Sequence, residues 1–169
     1  MDNAERIAFI MSGAVQIFTE KGLTDRLQSG RRLTIKLGAD PSRPDLHLGH
    51  SVVLRKLRLF QELDHRIVFV IGDFTGMIGD PTGKSKARPA LTLEETRASG
   101  KSYFQQVTKI LDPGKTEIAY NSEWLSRMNF ADVIKLCSRY TLARMLERDD
   151  FKTRFSQNQP VSMLNFYIR

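Results

Sequence analysis

Apolar residues along the chain alternate between the spacing of helices and the short continuous runs of buried strands. The run RIVFVIG at 66–72 is typical of a buried parallel strand, and RLTIKLGAD at 32–40 is typical of a second short strand. Between them, LGHSVVLRKLRLFQEL at 48–63 repeats apolar residues at helical intervals. The predicted apolar side of this helix consists of Val53, Leu57 and Phe60. The order strand, helix, strand predicts a βαβ unit with parallel strands, and therefore an α/β fold.

Segments before and after this unit continue the α/β pattern. Apolar residues at helical spacing over residues 4–21 predict one leading helix that ends at Gly22. TEIAYN at 116–121 predicts a third strand, and the pattern from Ser122 onwards is mostly helical. We expect the third strand to join the sheet and the helical part to flank it.

Two further features lie between the second and third strands. A glycine-rich loop is expected from Asp73 to about Pro89. Thr92, followed three residues later by Glu95, forms the pattern of a capping box and predicts the start of another helix.

Composition and charge limit the classes of function. The chain has 169 residues with 41% hydrophobic and 27% charged residues, which fits one ordinary globular domain. A net charge of +7 favours polyanionic partners such as nucleotides or nucleic acid. The single cysteine, Cys137, excludes an internal disulfide, and no apolar run is long enough to span a membrane. We therefore expect a cytoplasmic protein without a membrane partner.

The predicted βαβ unit indicates where chemistry is expected. Open parallel sheets bind ligands beyond the carboxyl ends of their strands. Asp40 follows the first strand, and the loop from Gly72 follows the second. We therefore expect Asp40 and Asp73 to lie near His47, His50 and Asp80 in one cleft.

Two histidines three residues apart, His47 and His50, stand at the predicted start of a helix, where they share a face. The positive end of a helix disfavours a cationic imidazole but favours a bound anion, to which free backbone N–H groups and neutral imidazoles can donate. Gly49 lets a nucleotide approach the backbone closely. Zinc binding is a weaker alternative because neither the His-Glu-x-x-His spacing nor a nearby cysteine is present. Helix capping or ordinary packing is the other alternative.

At this point the motifs resemble a known family. HLGH, preceded by GADPSRPDL, resembles the His-x-Gly-His signature of class I aminoacyl-tRNA synthetases. GDFTGMIGDPTGK resembles the second signature loop of bacterial tyrosyl-tRNA synthetases, and LTLEET and YNSEWL continue the likeness. The resemblance covers nearly the whole chain from Leu33. It implies a Rossmann-like nucleotide-binding fold, a parallel sheet flanked by helices, of which only the amino-terminal part is present.

The resemblance also implies a division of the chain and an activity. Residues 1–32 correspond to an N-terminal helical segment, 33–121 to the first half of the catalytic domain, and 122–169 to a truncated helical connective region. The implied enzyme is a ligase that activates tyrosine with ATP and its Mg²⁺ to tyrosyl-adenylate and transfers it to tRNA(Tyr). The full-length protein is expected to be a homodimer, and the isolated chain to be weak or inactive.

By the same resemblance, individual residues receive roles. The implied catalytic residues are Ser42, His47, His50, Lys84 and Arg88. The implied ATP-binding residues are Gly38, Asp40, His47, Gly49 and His50. The implied tyrosine-binding residues are Asp80, Thr75 and Tyr167, and no metal ligand is implied.

Some alternatives stay open. Asp80 is also a plausible turn cap, and GKSKAR at 83–88 is also typical of a solvated run of charges. Lys36 stands where well-known relatives have the tyrosine that contacts the substrate hydroxyl, so recognition of the phenol does not carry over. A related synthetase for tryptophan, or a non-catalytic module that binds nucleotide or RNA, remains possible as a different function.

Overall fold

A three-stranded parallel sheet lies at the centre of the chain in the computed structural model, which describes residues 3–41, 45–78, 91–159 and 161. The strands are β1 (Thr34–Ala39), β2 (Arg66–Ile71) and β3 (Thr116–Tyr120), in the order β1-β2-β3. β1 and β2 pair in parallel from Thr34 opposite Arg66 to Ala39 opposite Ile71. The predicted strands and the parallel βαβ unit are confirmed.

Helices connect and follow the strands. Within the described ranges they are α1 (Asn3–Met11), α2 (Glu20–Gln28), α3 (Leu48–Glu62), α4 (Asp73–Ile78), α5 (Leu93–Val107), α6 (Ser122–Leu125), α7 (Phe130–Cys137), α8 (Leu142–Leu146) and α9 (Asp149–Ser156). A single 3₁₀ turn, Pro113–Lys115, precedes β3. The predicted capping box is present, since Glu95 Oε2 accepts from the Thr92 amide at 2.7 Å and Thr92 Oγ1 accepts from the Glu95 amide at 3.2 Å.

Three expectations from the sequence are wrong in detail. The leading helix is two helices, α1 and α2, and Gly22 lies inside α2, where the Thr19 hydroxyl caps the Gly22 amide. The loop expected from Asp73 begins instead with α4, and its remainder, 79–90, lies outside the described residues. On α3, Leu54 is buried, whereas Val53 is 46% exposed.

The chain divides into two compact units, each formed by discontinuous segments. The first unit comprises residues 1–39, 43–71 and 99–119, and the second comprises 40–42, 72–98 and 120–169.

The core of the first unit is built on β2, whose side chains at Ile67, Phe69 and Ile71 are almost completely buried. A continuous apolar strand of this kind needs cover on both faces, as expected for a parallel sheet. The buried hydrophobic residues contributed by the helices of this unit and by the segment after α5 are Ile10, Leu54, Leu57, Phe60, Tyr103, Val107 and Leu111.

A buried glutamine holds the beginning of β3 beside the end of α3. Gln61 Nε2 donates to the Asp112 carbonyl at 3.2 Å and to Thr116 Oγ1 at 2.9 Å, while Gln61 Oε1 accepts from the Asp112 amide at 3.0 Å. Because all of these polar atoms are paired, the side chain can be buried without an unsatisfied group.

The helices of the second unit differ in burial. Met145 and Phe151 are buried, whereas α7 exposes Phe130 and Ile134 at 78% and 54%. Across the described part of the chain, no helix is both long enough and apolar enough to cross a membrane.

Candidate functional site

His47 and His50 form the N-terminal cap of α3. His47 is the N-cap residue, and its Nδ1 accepts a hydrogen bond from the Gly49 amide at 3.1 Å. His50 Nδ1 accepts in turn from the His47 amide at 3.2 Å, which completes a capping box made of two imidazoles. The ring centroids lie 4.0 Å apart. The prediction that both histidines share one face at a helix start is therefore confirmed.

His47 Nδ1 accepts from the Gly49 amide, so in a neutral His47 ring the proton is on Nε2. His50 Nδ1 lies 3.2 Å from the His47 amide nitrogen and 3.3 Å from the His47 carbonyl oxygen, so its role as acceptor or donor depends on the tautomer. The expectation of free backbone donors is wrong for the amides of His47 and Gly49, because the imidazoles occupy them.

Gly49 is required by the imidazole cap itself. A Cβ at this position would lie 2.9 Å from His47 Cε1 and 3.0 Å from His47 Nδ1, closer than ordinary contacts. The absence of a side chain therefore lets the His47 ring lie over the first turn of α3. Its predicted role in admitting a nucleotide stays a prediction.

In the second unit, Asp40, Thr75 and Asn121 form a chain of hydrogen bonds. The Thr75 hydroxyl donates to Asp40 Oδ1 at 2.6 Å, and Asn121 Nδ2 donates to Thr75 Oγ1 at 2.9 Å. Asn121 Oδ1 accepts from the Phe74 amide at 2.9 Å. Thr75 and Asn121 are 6% and 8% exposed, whereas Asp40 is exposed. This series of hydrogen bonds links residues that follow β1, β2 and β3.

A buried carboxylate, Asp73, anchors the start of α6. Asp73 is 0% exposed and accepts from the Ser122 hydroxyl at 2.6 Å, the Ser122 amide at 2.9 Å and the Phe74 amide at 3.0 Å. Arg97 Nε, on α5, lies 3.2 Å from Asp73 Oδ2. Burial by itself raises the pKa of Asp73, but the hydrogen bonds from Ser122, Arg97 and Phe74 outweigh it and leave the pKa below its ordinary value. The carboxylate is therefore ionised and fully paired.

The remaining site residues predicted from sequence are distributed as follows. Gly38 lies in β1, where a Cβ would meet only the flexible end of the exposed Lys36 side chain. Five of the predicted residues lie outside the described residues: Ser42, Asp80, Lys84, Arg88 and Tyr167. In the part of the chain that the structure describes, no three His, Cys, Asp or Glu side chains are arranged to hold a metal ion.

Three polar residues of the second unit were not singled out from the sequence: Arg97, Asn121 and Ser122. Asn121 and Ser122 directly follow β3, so their position after a strand was a usable signal. Arg97 lies in the middle of a helical pattern, and nothing local distinguishes it from an exposed arginine.

The chain is similar in sequence to known proteins. A tyrosine–tRNA ligase of Chlorobaculum tepidum is 60% identical over 166 residues, which is 96% of this chain and 41% of that protein. The corresponding values for the tyrosine–tRNA ligase of Salinibacter ruber are 57%, 96% and 40%. The chain thus spans about two fifths of the length of these curated relatives.

A solved structure has the same fold. The tyrosyl-tRNA synthetase of Archaeoglobus fulgidus, crystallised with L-tyrosine, matches with a TM-score of 0.75 at 24% identity over 99% of this chain and 50% of that one. The family described as tRNA synthetases class I (W and Y) matches residues 28–167. The chain therefore belongs to the class I tRNA synthetases of the tryptophan and tyrosine group.

Proposed function

We propose that this chain contributes the amino-terminal half of the site of a tyrosine–tRNA ligase. The observation that carries the proposal is the 60% identity to a tyrosine–tRNA ligase over nearly the whole chain. In the proposed reaction, a carboxylate oxygen of tyrosine attacks the α-phosphorus of ATP, and pyrophosphate leaves as tyrosyl-adenylate forms. A hydroxyl of the terminal ribose of tRNA(Tyr) then attacks the tyrosyl carbonyl and releases AMP.

The histidine cap of α3 supports a binding site for the phosphates of ATP. The two imidazole rings lie 4.0 Å apart and can present ring N–H groups to an anion, and the end of the helix adds a favourable dipole. Donors that are fixed before the reaction stabilise developing negative charge more effectively than mobile ones. We assign His47 to the γ-phosphate side and His50 to the nucleotide.

The other proposed roles follow the family resemblance. Asp40 and Gly38 line the adenylate pocket, and Gly49 keeps the backbone open beside it. Asp80, Thr75 and Tyr167 face tyrosine, while Ser42, Lys84 and Arg88 act on the pyrophosphate side. Mg²⁺ enters with ATP as part of the substrate, and the reaction takes place in the cytoplasm.

The exposed apolar residues of α7 support a homodimer as the proposed assembly. Phe130 and Ile134 are exposed and, four positions apart, lie on one face of the helix, and Leu136 is exposed as well. Large exposed apolar side chains on one short helix are typical of a surface that a partner covers. Met145, on α8, is buried and is not part of this exposed group.

Calorimetric titration of the chain tests the proposed ligand. We expect a non-hydrolysable tyrosyl-adenylate analogue to bind, and the tryptophanyl counterpart to bind more weakly. The variant His47→Ala/His50→Ala should weaken binding at least tenfold, since each removed donor is a hydrogen bond to a charged group.

His65→Ala is the matched control, because His65 is the third and last histidine of the chain and accepts from the Leu33 amide, away from the start of α3. Its binding should equal that of the unsubstituted chain. Equal affinity for the two analogues, or no binding by a chain whose fold is verified by circular dichroism, would contradict the proposal for this chain.

A further inference from the structure

The hydroxyl of Thr75 has little capacity left for a substrate. A hydroxyl has one proton to donate, and Thr75 donates it to Asp40 Oδ1 at 2.6 Å. Its oxygen already accepts from Asn121 Nδ2 at 2.9 Å, and the side chain is 6% exposed. A direct hydrogen bond from Thr75 to tyrosine would have to replace the bond to a carboxylate, which is the stronger type.

Asn121 is held at both ends of its amide. Its Nδ2 donates to Thr75, and its Oδ1 accepts from the Phe74 amide at 2.9 Å. The next residue, Ser122, is fixed by two hydrogen bonds to the buried Asp73 carboxylate. Asn121 thus has one orientation that satisfies its partners, and this orientation directs a donor at Thr75.

Among the described residues, Asp40 is held on one oxygen. Oδ1 accepts from Thr75, and no described residue donates to Oδ2. The residue is exposed, which lets a ligand reach the carboxylate. Gly72 leaves the room for this arrangement, because a Cβ there would overlap Asp40 Oδ1. Asp40 is therefore an exposed carboxylate whose orientation is set from the interior of the second unit.

We propose that Asn121 is a positioning residue that orients the Asp40 carboxylate through the Thr75 hydroxyl, and that this relay is the role of Thr75. The identity of the ligand of Asp40, a hydroxyl or ammonium donor of the adenylate, rests on the proposed function. The relay from Asn121 through Thr75 to Asp40 does not depend on the proposed function. Thr75, which the family resemblance assigns to tyrosine binding, then contributes indirectly, through the orientation of Asp40, and does not hydrogen-bond tyrosine itself.

The χ1 rotamer of Asp40 tests the relay without any ligand. Hα–Hβ scalar couplings in the isotope-labelled chain should report one staggered rotamer for Asp40 in the unsubstituted protein. Thr75→Val removes the hydroxyl at nearly constant shape, Thr75→Ser keeps it, and Asn121→Ala removes the donor to it. Thr108→Val is the matched control, because the Thr108 hydroxyl donates to the carbonyls of Phe104 and Gln105 in the preceding helix, α5.

We expect averaged couplings for Asp40 in Thr75→Val and Asn121→Ala, and a single rotamer in Thr75→Ser and Thr108→Val. Rescue by serine separates the loss of the hydroxyl from general damage to the fold. A single Asp40 rotamer in Thr75→Val would overturn the relay. Averaging in Thr75→Val but not in Asn121→Ala would overturn the role of Asn121.

Affinity for the tyrosyl-adenylate analogue provides the second measurement. Thr75→Val and Asp40→Asn should each weaken binding about tenfold, and the double variant should lose little more, because both act on one carboxylate. Full additivity of the two losses would contradict the relay. If the unsubstituted chain binds no analogue, the proposed function is wrong. The Hα–Hβ couplings of Asp40 still test the relay in that case.

Discussion

Gly72 lies against Asp40 so closely that a Cβ on Gly72 would overlap Asp40 Oδ1 and come within 2.6 Å of Thr75 Oγ1. The parallel register explains the contact, since Ala39 and Ile71 are paired and the next residues leave the sheet side by side. Gly72→Ala should therefore lower the free energy of unfolding by about 1–3 kcal/mol, measured by urea denaturation, because the added methyl group cannot be accommodated without shifts.

Gly114→Ala is the matched control for this substitution. A Cβ at Gly114 would lie 3.4 Å from Asp112 Oδ1, an ordinary contact, so the change should be below about 0.5 kcal/mol. Equal effects of the two substitutions would mean that Asp40 moves aside readily, and the rigidity inferred for it would be wrong.

Acid should lower the free energy of unfolding of the chain because Asp73 becomes protonated. Its hydrogen bonds hold the folded-state pKa below the ordinary value of 3.8, so the stability that it contributes is complete above that value and is lost as the pH falls through the lower, folded-state pKa. Unfolding free energies measured from about pH 5 to about pH 2 should fall with decreasing pH, and the slope should be smaller in Asp73→Asn. An unchanged slope would exclude Asp73 as a source of acid sensitivity.

Protonation of His65 should cause a second decrease in the free energy of unfolding as the pH is lowered, in a pH range above that of Asp73. Burial is the main influence that places the pKa of His65 below its ordinary value of 6.5; Asp64 acts in the opposite direction and Arg32 adds to the lowering. The folded state therefore disfavours the imidazolium, so stability is complete above about pH 7 and decreases as the pH falls below about 6.5. His65→Gln should make the decrease in the free energy of unfolding between about pH 7 and about pH 5 smaller, and an unchanged decrease would exclude His65 as its source.

His47→Asn should separate the helix cap from the proposed ligand site. Asparagine is among the best N-cap residues, so the thermal midpoint should be retained or raised, whereas His47→Ala should lose about 1 kcal/mol of stability. Both variants lack the imidazole Nε2–H and should bind ATP more weakly to the same extent. Normal ATP affinity in His47→Asn would show that the cap, and not the imidazole donor, is what the ligand needs.

The sequence predicted the elements that depend on local patterns. β2 is a continuous apolar run, and the start of α5 has both members of its capping box, so both were found. The boundary between α1 and α2 was missed because exposed apolar residues, Val15 and Phe18, continue the helical spacing across the break. Periodicity detects spacing but not burial.

The candidate site was likewise predicted only where it depends on local patterns. The paired histidines were found because their spacing and their helix position are local features. The parallel strands predicted that Asp40 lies near the segment after β2, but not which side chains pair there. Asp40 pairs with Thr75 and Thr75 with Asn121, which are 35 and 46 positions apart, and no local pattern encodes those hydrogen bonds.

The imidazole cap of α3 also indicates how this chain would respond to engineering. Histidine is not among the residues that start helices best, and a more favourable substitute at position 47 is available. Directed evolution for thermal tolerance alone would therefore drift away from His47. If His47 binds ATP as proposed, each gain in thermal stability at this position would be accompanied by weaker ATP binding, and libraries built on this scaffold should keep position 47 fixed.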